Sequence, residues 1–587
     1  MTRNCAIALL LMVLSGTAAA ADRDWISVSN QQAAALLQVM AKYSPEDASA
    51  VGVEGHDGDV FDARPGNVER EEADLDTVIK GYERALPDAT DARVQQDLAI
   101  LLKSARDQRT TLDINHRLML PYVDMPKVLF EGFHGLLDPR VSKERQRFAV
   151  IRLKRYVGTA QGYQPISQLL QARLQERSGD ASLTGPWIVE IEQDLKNEQP
   201  YLKGIRDLFV KSGLGGWQGD FNRLRTQVED YGKWVRATVV PKARQTHRLP
   251  AEVYADNLKQ YGVTMAPDQL VDRALATFEQ TREEMQSLAA QIAKDRGFSS
   301  PDYRDVMREL KKATIPNDRL IAVYRERLAG IEAIIRQHHL ITLPHRQAAI
   351  RLATDAESAA LPAPHLSIPR LIGNTGEPAE FVLPTSNPNA DPKAKMDDFN
   401  YDAITWDLTA HEARPGHELQ FAAMLERGVS VARAVFAFNS ANVEGWALYA
   451  EAFTKQYMPP EAQLAALQMR LMRAARAFLD PMVNLGMMEP AAAKRVLMDE
   501  VVLSEPMAQE EIDRFTFTAP GQATSYFFGY SKLEALRARA QFGLGERFEE
   551  QTYHDFVINQ GLLPLALLEQ AVTESFVPAQ QAKAAAH

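Results

Sequence analysis

Cysteine is almost absent from this 587-residue chain, and its single cysteine, Cys5, lies in an N-terminal apolar segment. One cysteine cannot form an intramolecular disulfide or supply a cluster of thiolate ligands for a metal. A basic excess is missing as well, since 66 lysine and arginine residues face 77 aspartate and glutamate residues, for a net charge of −11. The chain is therefore not expected to bind nucleic acid.

Long apolar runs are also missing, apart from one within the first twenty residues that is too short for a permanent membrane span. Arg3 precedes the apolar run Ala6–Leu14, and the small residues Ala18–Ala20 follow it. This order is typical of a secretory signal peptide cleaved near Ala20, which predicts a periplasmic or secreted protein without a stable membrane anchor. A buried N-terminal helix is the alternative.

The hydrophobic content of 45% is sufficient for packed cores, and the length favours more than one lobe. Apolar residues recur three and four positions apart, which predicts a mainly helical fold. The clearest segments are 92–105, 270–293, 320–337 and 461–479. The runs His365–Ile368 and Glu380–Leu383 predict a small sheet, and Pro384–Lys393 has the composition of a turn. We expect a signal peptide at 1–20, an N-terminal helical lobe at 21–245 and a catalytic helical lobe at 246–587.

The segment 405–420 (TWDLTAHEARPGHELQ) contains His411, Glu412 and His417. Zinc enzymes that cleave amides typically use two histidine ligands, with a glutamate beside the first as general base. Six residues separate these histidines, which on a regular helix turns the second roughly 240° from the first. Pro415 and Gly416 favour a kink, bulge or break that could return His417 toward His411. Two unrelated histidines on a broken helix are the alternative.

A third ligand is available in the segment 441–451 (ANVEGWALYAE), where Glu444 and Glu451 lie two turns apart on a similar helix face. A carboxylate from a second helix would complete a zinc site with three protein ligands and one open position. Glu444 is the first choice, since Gly445 beside it allows close approach to another backbone. Glu451 is the second choice or, like Asp407, a partner of a ligand histidine. Solvated glutamates are the alternative.

The aromatic segment 514–530 (RFTFTAPGQATSYFFGY) supplies further candidates. Tyr526 and Tyr530 could each donate a hydrogen bond to the oxyanion that forms when water attacks an amide. Gln522, Lys532 and Arg537 could bind the terminal carboxylate of a peptide. A simple aromatic core is the alternative.

Together these segments resemble a bacterial family known as domain of unknown function 885 (DUF885). The matching motifs are HEARPGH at 411–417, EGWALYAE at 444–451 and PGQATSYFFG at 520–529. Further similarity at 249–255 and 554–565 extends the resemblance over most of the chain. At Asn484 this chain departs from the family, which often has a histidine there.

The DUF885 family is similar to helical zinc peptidases of the gluzincin type, such as angiotensin-converting enzyme, thimet oligopeptidase and thermostable carboxypeptidases. The resemblance implies two helical lobes around a deep channel, with a small β-sheet near it. It also implies that His411, His417 and Glu444 bind zinc, that Glu412 is the general base, and that Tyr526 is the oxyanion donor.

We therefore expect an exported zinc peptidase, monomeric or homodimeric, that hydrolyses short peptides. One Zn²⁺ per chain is expected because a His₂Glu set suits zinc, although manganese or cobalt could occupy such a site. One alternative is a zinc hydrolase of non-peptide amides or esters. Another is a non-catalytic periplasmic peptide-binding protein, against which Glu412 argues, since a binding protein needs no base beside a metal ligand.

Overall fold

The computed structural model describes residues 24–386 and 393–585, which form a mainly helical protein with one small sheet. The expected signal peptide and residues 387–392 of the predicted turn lie outside the described residues. Among the helices of the described ranges, none is both long enough and apolar enough to cross a bilayer.

From residue 24 onward, the N-terminal part consists of ten α-helices joined by short connections. They are α1 (Asp24–Tyr43), α2 (Pro45–Val51), α3 (Asn67–Ala85), α4 (Ala92–Leu118), α5 (Met125–Leu137), α6 (Lys143–Gln146), α7 (Phe148–Tyr156), α8 (Ile166–Arg177), α9 (Ile188–Ser212) and α10 (Gln218–Trp234). A π-helical turn at Val235–Val239 and a 3₁₀ turn at Val240–Lys242 continue from α10.

The C-terminal part contains the sheet and the longest helices. Up to the sheet it comprises α11 (Ala251–Gln260), α12 (Pro267–Arg296), α13 (Tyr303–Lys311), α14 (Asn317–His338), β1 (Ala349–Leu352), α15 (Asp355–Ala360), β2 (His365–Ser367) and β3 (Glu380–Leu383). It continues with α16 (Asp402–Leu408), α17 (His417–Arg427), α18 (Ser440–Lys455), α19 (Pro460–Asn484), α20 (Pro490–Asp499), α21 (Glu505–Asp513), α22 (Thr524–Leu544), α23 (Glu550–Asn559), α24 (Leu565–Ala571) and α25 (Val577–Ala585). Four π-helical turns and a 3₁₀ turn lie between these helices, at Thr409–Ala413, Ala432–Phe436, Arg514–Thr518, Val572–Phe576 and Gly545–Arg547.

The predicted helices are confirmed, because the four periodic segments lie within α4, α12, α14 and α19. Two strands of the sheet are confirmed as β2 and β3. The sheet has the order β1-β3-β2, with β1 parallel and β2 antiparallel to β3. Strand β1 (AIRL) was not predicted, since it precedes the proline-rich region and its four residues alternate too briefly to indicate a strand.

Buried side chains form two large clusters and several smaller ones. One core extends from Ala63 to Val239 and includes Ala356 and Ala359 from the other half of the sequence. The other extends from Tyr254 to Phe528 and is centred on the packing of α12 against α19. Helices α1, α3 and α4 form a further cluster that contacts Ala432, so this cluster also packs against the C-terminal half of the chain.

Helix α19 is buried on every face, including its polar residues Gln468, Arg473, Arg476 and Asp480. Charged side chains are rarely buried unless they are paired, so each of these residues needs a polar partner inside the protein. Arg473 and Arg476 find those partners around the predicted site.

Candidate metal centre and active site

The two predicted ligand histidines lie on either side of a break between helices. Helix α16 ends in the π-helical turn that carries His411, Arg414 is extended, and α17 begins at His417. The peptide bond between Arg414 and Pro415 is cis. Gly416 lies so close to the turn that a β-carbon there would be 1.8 Å from the carbonyl oxygen of His411. The HEARPGH segment therefore folds as a helix end, a sharp reversal and a new helix, and this reversal compensates for the six-residue spacing.

His411, His417 and Glu444 meet at one point. The imidazole rings lie 4.8 Å apart, centroid to centroid, at an interplanar angle of 83°. Glu444 Oε2 lies 3.2 Å from His417 Nε2 and 3.7 Å from His411 Nε2. One ligand atom from each residue can be chosen so that all three lie within 4.8 Å of one another, and both histidines are buried. This spacing and chemistry fit a three-ligand divalent metal site with one side open.

The state of the Glu444 carboxylate supports this fit. Although the histidines are close, Glu444 Oε2 makes no well-formed hydrogen bond and is buried. Burial opposes its ionisation, but the two imidazoles hold the pKa of Glu444 well below its usual range. A buried carboxylate oxygen without a donor is costly, and a cation between these three side chains would satisfy it.

His411 is oriented from behind by Glu451, whose Oε1 lies 2.5 Å from His411 Nδ1. This contact leaves Nε2 facing Glu444, as a ligand nitrogen requires. Arg473 Nη2 lies 3.4 Å from the same glutamate oxygen. Burial and the charge of Glu451 raise the pKa of Asp407, which lies beside Glu451, well above its usual value. Of the two residues predicted as partners of the ligand histidines, Glu451 contacts His411 directly and Asp407 lies next to Glu451.

Glu412 faces the same point as the predicted ligands. Its Oε1 lies 4.0 Å from His411 Nε2, and its buried Oε2 has no hydrogen-bond partner among the described residues. Burial raises the pKa of Glu412 to about 8. A nearby divalent cation would lower this pKa, because an opposite charge favours the ionised form. Glu412 is thus positioned to exchange protons with a molecule in the site.

Tyr526 also lies near His411, with the two rings nearly parallel and 6.4 Å apart. Arg514 Nη1 donates to the Tyr526 hydroxyl oxygen at 3.3 Å and to Gln522 Oε1 at 3.2 Å. The guanidinium of Arg476 lies over the Tyr526 ring at 4.6 Å. Because the hydroxyl oxygen accepts from Arg514, its proton remains available to a substrate.

Sequence reasoning missed Arg514, Arg473 and Arg476. The sequence pattern does not indicate a role in the site, because Arg514 has the spacing of an ordinary (i, i+4) helix pair with Glu510. Only the burial of all three side chains distinguishes them from surface arginines.

Three other predicted residues lie further along α22 than Tyr526. Tyr530 lies beside Arg470 and Glu534, and burial raises its pKa to about 12. Lys532 is exposed next to the Phe528 ring. Arg537 pairs with Glu550 of α23 at 2.9 Å. The structure does not bring these three to the histidine cluster, and their roles stay predictions.

The three motifs are held together by specific contacts. Trp446 Nε1 donates to the Pro415 carbonyl at 3.0 Å, which ties the EGW segment to the reversal after His411. Gln522 Nε2 donates to Ser440 Oγ at 3.1 Å. Asn484 donates to the Phe515 carbonyl at 2.9 Å and to Asp480 Oδ1 at 3.1 Å, so it anchors the loop before the PGQA segment.

Two cavities are lined by residues from both halves of the sequence. The first, of about 450 Å³, is lined by the ends of α4 and α8, by α11 and by the segment 517–520. The second, of about 240 Å³, is bordered by α9 and α21. The first is within the usual size range of small-molecule sites.

Comparisons with known proteins show which family and fold this is. Residues 45–572 match the family described as "Bacterial protein of unknown function (DUF885)". A protein from Colwellia psychrerythraea with a provisional description as a lipoprotein aligns with a TM-score of 0.76 and 18% identity, over 94% of this chain and 99% of its own. A protein from Shewanella oneidensis, provisionally described as a lipoprotein of unknown function, aligns with a TM-score of 0.69 and 18% identity, over 93% and 98%.

A protein from Bacillus anthracis, provisionally described as an oligoendopeptidase F, also aligns. It shares 12% identity over 88% of this chain and 96% of its own, and its TM-score of 0.28 does not establish a common fold. No curated protein sequence matches the chain significantly.

Proposed function

This chain belongs to the bacterial DUF885 family, and we propose that it is a zinc-dependent peptidase that acts on short peptides. The family is described as having no known function, so the proposal rests on the site. The observation that carries it is the convergence of His411, His417 and Glu444, with the unpaired Oε2 of Glu412 beside them. Two imidazoles and a carboxylate, with a carboxylate base next to the first histidine, are the side chains that hydrolytic zinc sites use.

His411, His417 and Glu444 would hold one zinc ion, and manganese or cobalt could replace it. When bound, this Lewis acid would acidify a water molecule and polarise the carbonyl of a peptide bond. Glu451 would fix the orientation of His411, and Arg473 and Asp407 would in turn hold Glu451.

The remaining residues would carry the proton transfers. Glu412 accepts a proton from the attacking water as the water oxygen bonds to the carbonyl carbon. Tyr526 donates its hydroxyl proton in a hydrogen bond to the oxyanion, while Arg514 holds the tyrosine oxygen in place. Glu412 then passes its proton to the leaving nitrogen as the carbon–nitrogen bond breaks. The products are a free amine and a carboxylic acid.

The burial of the site supports short peptides as substrates. Both histidines and Glu412 are buried, and the Glu444 side chain is 18% exposed, so little of the site faces the protein surface. Such burial favours a short, flexible substrate over the surface of a folded protein. Export of the protein is part of the proposal. It is supported by the signal-like pattern at residues 1–20 and by the provisional description of two structural relatives as lipoproteins.

Metal content is the first test. The wild-type protein and the His417→Ala and His338→Ala variants would be purified without added metal and analysed by mass spectrometry. His338 is an exposed histidine on α14 and serves as the matched control. We expect about one zinc per chain in the wild type and in His338→Ala, and a large loss in His417→Ala. Absence of metal from the wild type, even after zinc is offered, would reject the mechanism.

Hydrolysis is the second test. Zinc-loaded wild type and Glu412→Gln would be assayed on a panel of short peptides, with non-peptide amides and esters alongside. We expect peptide cleavage by the wild type and a loss of at least roughly 100-fold in Glu412→Gln. Turnover of amides or esters alone would reject the peptidase assignment, and peptide binding without cleavage would reject catalysis.

A further inference from the structure

The larger of the two cavities, of about 450 Å³, has three arginines in its wall: Arg173, Arg177 and Arg244. Arg173 and Arg177 lie four residues apart on α8, which places them on one face of that helix. Arg244 follows the 3₁₀ turn at Val240–Lys242. Within residues 24–386 and 393–585, none of these three guanidinium groups is in an ion pair with a carboxylate. Three permanent positive charges therefore line one cavity without ion-pair partners.

Arg244 has donors that no acceptor in the protein meets. Its Nε and Nη1 are buried and have no hydrogen-bond partner among the described residues. Its Nη2 also lacks a partner there but is not buried, so it is open to the cavity that Arg244 lines. Glu190 lines the same cavity, but its carboxylate accepts from the Trp187 amide at 3.0 Å and forms no ion pair with Arg244. Because native proteins rarely leave buried donors unsatisfied, this guanidinium indicates an acceptor that comes from outside the chain.

The electrostatics of the cavity agree with this geometry. Burial lowers the pKa of both Arg173 and Arg244. Burial acts in the same direction on Arg476, but its ion pair with Glu511 raises the pKa of Arg476 above the usual value. Arg173 and Arg244 thus lose hydration without gaining an ion pair, and an anion in the cavity would restore the favourable interaction.

The remaining charges of the wall favour an anion with a single negative charge. The cavity is also lined by the carboxylates of Glu69, Glu176 and Glu190, so its three arginines face three acids. A dianion such as a phosphate monoester would be repelled by these acids more strongly than a monoanion would. A carboxylate carries one charge, and its two oxygens match the fork of a guanidinium.

The rest of the lining is suited to an apolar body. Met119, Leu120, Leu249, Val253 and Phe517 all border the cavity. These side chains can cover the hydrocarbon part of a ligand whose charged end lies at the arginines.

Helix α3 begins at the same wall, where residues 66–69 line the cavity. No side chain caps this helix end. Its amides would add to the attraction for an anion at a site that the arginines define.

We propose that this cavity binds a small organic acid. The carboxylate accepts from the guanidinium of Arg244 and lies in the positive field of Arg173, and the apolar part of the acid lies against the apolar wall. The carboxylate belongs either to a free organic acid or to the C-terminus of a short peptide.

The site is separate from the candidate metal centre. His411, His417, Glu444 and Glu412 are not in the lining of the cavity. Binding of the acid therefore depends neither on zinc nor on peptide hydrolysis, and it goes beyond the proposed peptidase function.

Binding without turnover tests the site. Zinc-loaded Glu412→Gln protein would be titrated in a calorimeter with two matched pairs, 3-phenylpropionate with 3-phenylpropanamide, and acetyl-Ala-Phe with acetyl-Ala-Phe-amide. We expect the acid of at least one pair to bind about tenfold or more tightly than its amide, which is the usual order for one charge-assisted contact. A preference in the first pair identifies free organic acids, and a preference in the peptide pair alone identifies a peptide C-terminus.

Substitutions then locate the bound acid. We expect Arg244→Gln and Arg173→Gln each to weaken binding of the preferred acid several-fold or more and to leave its amide unchanged. Arg206→Gln, which changes an exposed arginine on α9, is the matched control and should keep the preference. Carboxylates also bind zinc, so the acid would be titrated into His417→Ala as well, and the preference should persist there.

Thermal unfolding separates a binding role of Arg244 from a structural one. Arg244→Met removes the unpaired guanidinium and keeps a long side chain. We expect this variant to have a Tm at least equal to that of the wild type without ligand, because no hydrogen bond or ion pair of the guanidinium is lost. The preferred acid should raise the Tm of the wild type and not that of Arg244→Met.

Equal affinities for acids and amides would overturn the proposal, as would absence of binding by either acid at about 10 mM. A preference that is lost in His417→Ala but retained in Arg244→Gln would place the acid at the metal centre instead. A lower Tm of Arg244→Met, together with an unchanged preference in Arg173→Gln, would make Arg244 a structural residue. Since none of these measurements needs hydrolysis, a failure of the proposed peptidase activity would be seen separately, in the cleavage assay of the wild type.

Discussion

Gly445 and Gly529 are in direct backbone contact where α18 packs against α22. A β-carbon on Gly445 would lie 2.6 Å from the Cα of Gly529, and one on Gly529 would lie 1.9 Å from the carbonyl oxygen of Ala441. Glu444 and Tyr526 project from these two helices close to the contact. The two glycines therefore set the separation between a predicted metal ligand and the predicted oxyanion donor.

Replacing Gly445 with alanine should force α18 and α22 apart. We expect Gly445→Ala to lower the free energy of unfolding by about 1–3 kcal/mol, as overpacking in a core usually does, and to weaken zinc binding. Urea denaturation and a zinc titration would measure the two effects. Gly81→Ala in α3 is the matched control, because nothing lies within 4 Å of its β-carbon position and alanine favours helix. Equal stabilities of the two variants would contradict the contact.

Removing the charge behind His411 should weaken zinc binding without removing a ligand. We expect Glu451→Gln to lower zinc affinity by about 10- to 100-fold, which is the usual effect of losing a hydrogen-bond partner of a ligand histidine. Competition with a chromogenic chelator would measure the affinity. Glu461→Gln removes a charge from a surface pair with Arg296 and should leave the affinity unchanged. An unaltered affinity in Glu451→Gln would mean that Glu451 does not orient His411.

The fold could be predicted where the sequence repeats a simple pattern. Helices α12 and α19 are long, and their apolar periodicity extends over most of their length. Strand β1 could not be predicted, because four residues are too few for a reliable period. Its strand conformation depends on pairing with β3, which is 31 residues further along the chain at Ala349 and Glu380.

The candidate site could be predicted as a set of residues but not as a geometry. Residue types and order selected His411, His417 and Glu444, and the pair Pro415–Gly416 indicated a break. The π-helical turn at Thr409–Ala413 has no reliable sequence signal, since such turns are rare and are stabilised by surrounding packing. Arg514 was missed for a related reason, because only tertiary burial distinguishes it from an ordinary surface arginine.

The two candidate tyrosines can be separated by a matched pair of substitutions. We expect Tyr526→Phe to lower kcat by about 10²- to 10³-fold with little change in KM, as loss of an oxyanion donor does. Tyr530→Phe should keep kcat within a few-fold of wild type, because Tyr530 lies among Arg470 and Glu534 instead of beside His411. Steady-state kinetics on a cleaved peptide would measure kcat and KM for both variants. A large loss of kcat in Tyr530→Phe but not in Tyr526→Phe would assign the role of oxyanion donor to Tyr530.

Asp480 should make stability depend on pH. It is fully buried in α19 and accepts hydrogen bonds from the Tyr254 hydroxyl at 2.8 Å and from the Gly521 amide at 3.0 Å. Burial raises the pKa of Asp480 to about 7. The native protein therefore keeps a proton that the unfolded chain releases above about pH 4, where an ordinary aspartate titrates. Unfolding in this window releases a proton, so rising pH favours it.

From these values we expect Asp480 to lower the free energy of unfolding as pH rises from about 4 to about 7, by at most about 1.4 kcal/mol per pH unit. Asp480→Asn should flatten this dependence, whereas the exposed Asp499→Asn should retain it. Urea denaturation at several pH values would measure the slopes. Equal slopes of unfolding free energy against pH in wild type and Asp480→Asn would mean that Asp480 is ionised in the folded protein. A carboxylate, and not a carboxylic acid, would then hold the Gly521 loop beside the proposed active site.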